Sequence, residues 1–195
     1  MLCLRLAAAL GCALLGAATA AAQDRQIRVD VTVAATPAQV WPLWTTNEGV
    51  RSFFAPGSNI ELKVDGLYEI FFAPAAPAGQ RGADGMRLLA VEPNRRLVFT
   101  WNAPAALPYV RGQRTVVSVD FTPVGADSTR VTLRHTGWGS GPEWDEAIAY
   151  FEPAWNGFVM ASFKRRMEHG PIDWKALPTL QPVRRNAIER LVAAP

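Results

Sequence analysis

Seven short segments of alternating polarity, then one aromatic helical stripe, constrain this chain more than any other feature. The first segment is "IRVDVTV", where Ile27, Val29, Val31 and Val33 alternate with Arg28, Asp30 and Thr32. A period of two marks a half-buried strand. After two helical stretches come "NIELKV", "LYEIFF", "GMRLLAVE", "RLVFTW", "RTVVSVDF" and "TRVTLRH". Trp144, Ile148, Phe151, Trp155, Phe158 and Ser162 then recur at spacings of four and three, one face of a helix. The order is therefore one strand, two short helices, six strands and a long helix.

Local signals fix the boundaries. In "TPAQVWPLWTT", Thr36 suits an N-cap and Pro37 the first helical position. The second short helix, "NEGVRSFF", ends before Pro56. Pro153 breaks the aromatic run, which predicts a short helix to about Phe151 and a main helix from Pro153 to His169. Gly170-Pro171 is a stop. In a meander the short turns "VDG", "PNR" and "PVGADS" share one end of the sheet. The long segments "APAAPAGQRGADG", "NAPAALPYVRGQ" and "TGWGSGPE" gather at the other, where a binding mouth is expected.

The first residues have the layout of a secretory signal peptide. Arg5 precedes an apolar run from Leu6 to about Ala18, and small residues follow before Gln23. The reading divides the chain into a signal peptide over 1–22, a domain over 23–170 and a proline-containing tail over 171–195. Cleavage after Ala20 or Ala22 removes both cysteines, Cys3 and Cys12, so the exported protein has no thiol chemistry. The expected location is periplasmic or secreted, without a stable membrane span once the signal is removed. The excess of 20 Lys+Arg over 17 Asp+Glu is small and spread along the chain, which argues against nucleic acid as a partner. Two widely separated histidines and no acidic cluster of calcium-loop spacing predict no metal site. No phosphate loop or nucleophile elbow has the strand and helix context it needs, and no cofactor is expected.

The segments "ATPAQVWPLWTTNEGVRSFF", "VDGLYEIFF", "GMRLLAVEPNRRLVFTW", "TVVSVDFTPVGADSTRVTLRHTGW" and "EPAWNGF" occur in an order that resembles the START / polyketide cyclase-like (SRPBCC) superfamily. The chain is most similar to the heat-shock-protein-90 ATPase activator homologue family in its stand-alone bacterial form. Asp65-Gly66 stands where that family usually has two glycines. The resemblance implies an α+β helix-grip fold. A curved antiparallel seven-stranded sheet wraps around a long C-terminal helix, with two short helices after the first strand and often a cavity between sheet and helix. Such a cavity would be walled by Trp41, Trp44 and Phe54 from the short helices, and by Phe72, Met86, Phe99, Trp101 and Val117 from the strands. Trp138, Phe151, Trp155 and Phe158 would close it from the last loop and the long helix.

His135 shares parity with Val131 and Leu133, so it points inward at the long-loop end. An imidazole there can orient a ligand or act as an acid/base. Asp145, Glu146 and Glu152 sit early in their helices, where the macrodipole accounts for them. The leading expectation is a non-enzymatic module holding a small apolar or amphipathic molecule. One alternative is a cyclase, isomerase or hydrolase using His135, with Tyr68 or Tyr150 as helper. The other is a chaperone-associated envelope protein that binds a protein partner.

Overall fold

The computed structural model of the chain describes residues 25–176. The predicted signal segment lies outside them, as does the tail beyond residue 176. Eight strands, three short helices and one long, three-part helix form the described fold. Strand β1 (Ile27–Val33) is followed by helices α1 (Pro37–Thr45) and α2 (Asn47–Arg51). Strands β2 (Gly57–Ile60), β3 (Tyr68–Phe71), β4 (Gly82–Ala83), β5 (Leu88–Glu92) and β6 (Arg96–Trp101) come next. Helix α3 (Pro108–Gly112) precedes β7 (Thr115–Val124) and β8 (Ser128–Thr136). The last helix runs through α4 (Pro142–Pro153), a π-helical segment (Ala154–Met160) and α5 (Ala161–His169).

The helix-grip class is as expected, but the strands do not form a single seven-stranded sheet. They divide into a five-stranded sheet, β1-β8-β7-β6-β5, and a three-stranded one, β2-β3-β4. The extra strand is the two-residue β4, which folds the first long loop back onto Ile70 and Phe71. The division falls at Gly66–Leu88, where the chain is still hydrogen-bonded but irregular. Tyr68 N–H donates to Met86 O at 2.8 Å and Leu88 N–H to Gly66 O at 2.9 Å, and β5 carries a register shift between Leu88 and Ala90. A bulge bends a strand and raises its twist, turning the smaller sheet away from the larger. Asp65 takes φ 62°, a left-handed turn conformation that Asp tolerates, in place of the first glycine of the family's pair. Helix α3, inside "NAPAALPYVRGQ", was not expected; Pro108 starts it.

Alternation gives the large sheet two unlike faces. The registers place Ile27, His135, Val117, Phe99 and Leu88 in one inward row, and Val29, Leu133, Val119 and Leu97 in the next. The outward rows are mostly polar. The long helix and the α1–α2 elbow cover the inward face. Thr36 opens α1 with its N–H donated to Gln39 Oε1 at 2.9 Å, and Thr46 Oγ1 accepts from Gly49 N–H at 2.9 Å to open α2. At the elbow a Cβ on Gly49 would lie 2.1 Å from Pro42 O, so only glycine allows this crossing. The start of the tail docks beside α2, where Ile172 N–H donates to Ser52 O at 2.8 Å.

Candidate functional site

The expected break before Pro153 does not occur. Helix α4 passes through Pro153 into seven residues of π-helix and then into α5. Proline lacks the N–H that would close an α turn, and the wider π turn follows at once. The π segment changes which side chains face the sheet. Up to Trp155 the three-four stripe holds, with Trp144, Phe151 and Trp155 buried. Beyond it Val159, Met160, Ser162 and Phe163 are buried, so Ser162 of the expected stripe still faces inward, while Phe158 is left half-buried at the edge. There its ring lies 6.4 Å from that of Phe72, which is 37% exposed at the end of β3.

Behind this pair the rings are continuous. Phe72 meets Phe54 at 6.0 Å, Phe54 meets Trp155 and Trp101 at 6.0 Å each, and Trp101 meets Phe99 at 5.8 Å. Tyr68 closes the row against Phe99 at 4.4 Å, with its hydroxyl donated to Trp44 O at 2.8 Å. Burial raises the Tyr68 pKa far above the ordinary phenol value. Trp44, Phe54, Met86, Phe99 and Val117 are wholly buried, and Trp101 and Trp155 nearly so. Trp41 joins from the side, with its ring on Phe121 at 5.5 Å and Phe121 on Trp44 at 6.4 Å. Sequence reasoning left out Phe121 and Phe163 as ring partners. The inward parity of Phe121 with Val117 and Val119 could have revealed the first. The shift at the π segment hid the second.

His135 lies at the other side of Trp155 and is also wholly buried. Trp155 Nε1–H donates to His135 Nδ1 at 2.9 Å. This fixes the proton on Nε2, which faces Thr115 Oγ1 at 2.7 Å, and Thr115 in turn donates to Trp101 O at 3.2 Å. Trp138 packs on the imidazole at 4.2 Å between centroids and donates its indole N–H to His135 O at 2.9 Å. Phe151 caps the ring edge-on at 4.9 Å. Burial without a counter-charge lowers the His135 pKa to about 3, so the imidazole is neutral at neutral pH. Both its nitrogens are engaged. Tyr150 is half-buried, and burial pushes its hydroxyl up to about 12. Thr115, the hinge of this hydrogen-bond chain, carries no signal in the sequence beyond inward parity with Val117.

The three long loops meet above these rings. Arg111, on α3, donates to Gly79 O and Gly82 O of the first loop and to Ala103 O of its own. Desolvation lowers the pKa of this half-buried guanidinium, opposed by nearby Asp84. Burial raises the Asp84 pKa, but Arg81 and the N–H groups of Gly79 and Gly82 outweigh it and hold the carboxyl below the usual range. Val110 N–H donates to Glu143 Oε1 at 2.7 Å, fastening the second loop to the start of α4. Among the described residues no group of His, Cys, Asp and Glu could hold a metal ion, and no helix is long and apolar enough to cross a membrane.

A sheet packed over one long helix around an aromatic interior defines a helix-grip protein. The family model described as Activator of Hsp90 ATPase homolog 1-like protein matches residues 34–168, and the chain belongs to that family. No curated protein matches the sequence significantly. Among solved structures, protein MLL2253 from Mesorhizobium loti is 21% identical with a TM-score of 0.59, over 76% of this chain and 100% of that one. The Aha1 dimer from Colwellia psychrerythraea is 19% identical with a TM-score of 0.57, over 75% and 98%. An HSP90 activator from Plasmodium falciparum is 14% identical with a TM-score of 0.55, over 75% and 97%. At such identities the likeness is one of fold.

Proposed function

We propose that this chain is an exported, non-catalytic binding module that takes a small apolar or amphipathic molecule between its sheet and its long helix. The observation that carries this reading is the Phe72–Phe158 pair. It is a partly open part of the ring row, and it stands where the helix is π-wound. π segments are weaker than α-helix and frequent at functional sites. Parting this pair exposes Phe54, Trp155 and Trp101 to an entering ligand while the Arg111 staple keeps the loops in place. His135 supports the module as a positioning residue. With both nitrogens bonded and burial lowering its pKa to about 3, it is a poor base at neutral pH.

A second reading is a protein that acts on a chaperone partner through its surface, in the sense of the family's description. The closed packing of the inner rings favours it. Titration with a fluorescent long-chain fatty acid separates the two. A ligand module quenches tryptophan emission saturably, and Phe158→Ala together with Phe72→Ala weakens binding about tenfold or more while the fold persists. A wild-type protein that shows no saturable quenching is not a ligand module.

A further inference from the structure

The outer face of the five-stranded sheet carries an unusual grid of charge. Registers place Arg28 and Arg134 in one outward row, and Asp30, Thr132, Asp120, Arg96 and Glu92 in the next. Arg130 stands in the row beyond, beside Thr32 and Thr122. A concavity of about 400 Å³ opens on this face, and its lining includes Arg28, Arg95, Arg130 and Arg134. Five guanidiniums (Arg28, Arg95, Arg96, Arg130 and Arg134) thus meet three carboxylates (Asp30, Glu92 and Asp120), an excess of about two positive charges.

The carboxylates order the arginines without exhausting them. Asp120 pairs with Arg134 and, at 3.6 Å, with Arg96. Asp30 accepts from Arg28 Nε at 2.8 Å and Nη2 at 3.3 Å, and from the Thr132 hydroxyl. Glu92 pairs with Arg95. Each guanidinium has five N–H donors, and these contacts occupy one or two. The exposed Arg130 side chain makes no ion pair or side-chain hydrogen bond among the described residues, and its charge acts only at longer range, on Asp30.

We propose that this concavity binds a soluble phosphorylated small molecule, held by Arg28, Arg130 and Arg134 over the Asp120 floor. Guanidinium forks match phosphate oxygens two at a time, which suits a compact, multiply charged anion. The excess charge is too small and too confined for a nucleic-acid track, which needs many phosphate contacts in line. Of this lining Phe121 also meets the interior rings at Trp41 and Trp44, but none of the arginines does, so either site can fail without the other.

The test is calorimetric titration of the full chain with inorganic pyrophosphate at low ionic strength. The expected result is saturable one-site binding that falls about three- to tenfold in Arg130→Gln, which removes no intramolecular ion pair. Lys164→Gln removes the same charge from exposed α5 and should leave the affinity unchanged. Absence of saturable heat overturns the proposal. So does equal weakening by the two variants, which would reduce the effect to net charge. Binding to vesicles of phosphatidylcholine and phosphatidylglycerol in equal parts, with none to pyrophosphate, would assign the face to a lipid surface and overturn it too.

Discussion

His135 is the residue at which the chemistry of the interior is decided. It accepts from Trp155 and bonds Thr115, so the neutral Nε2–H tautomer joins strand, strand and helix. The sign of its pH effect follows from its lowered pKa. Unfolded, the imidazole takes a proton near its ordinary value of about 6.5; folded, it resists until about pH 3. The unfolded chain therefore binds more protons between those limits. His135 costs no stability above about pH 6.5, and stability falls as pH drops toward 3, by up to ~1.4 kcal/mol per pH unit. Urea unfolding should show this fall between about pH 6.5 and 4, and His135→Gln should flatten it. An unchanged slope in the variant would mean that His135 is not the titrating group. The sequence made the inward parity of His135 legible. It did not show that Trp155 and Thr115, each twenty residues away, would occupy both nitrogens, because that depends on the β7–β8 register and the phase of the helix.

Two elements set how the interior can open. The first is the π segment. Its expected stripe held at Trp155 and again at Ser162 but not at Phe158 between them, since a period of 3.6 cannot anticipate a wider turn. Pro153 was visible, but it read as a break instead of a distortion. Gly157 lies within this segment, and a Cβ there meets open space. Gly157→Ala should raise stability by up to ~1 kcal/mol through helix propensity. If ligand entry needs the segment to shift, the same substitution should slow fatty-acid uptake in stopped flow. The second element is the loop cluster. Its position at one sheet end was legible from turn lengths, but the Arg111 staple was not, because it bonds only to backbone carbonyls. Arg111→Met should speed amide hydrogen exchange in residues 73–81 and 103–113 while β7 and β8 stay protected. Uniform exchange across the whole chain would show that Arg111 supports global stability instead.

At the scale of the whole molecule, element order was enough for the helix-grip class, and the family match over residues 34–168 agrees with it. The seven-strand count missed β4, whose two residues, Gly82 and Ala83, have no alternation to detect. The division of the sheet depends on a bulge that no periodicity marks. The inner rings pack closely on one another, so the central claim is that the molecule opens between Phe72 and Phe158 to hold an apolar guest. Native mass spectrometry of the protein purified from its own host tests this most directly. The account predicts one non-covalent organic adduct per chain, released as collision energy rises and depleted in the Phe72→Ala, Phe158→Ala double variant. A bare chain mass under the gentlest conditions, for wild type and variant alike, would contradict it.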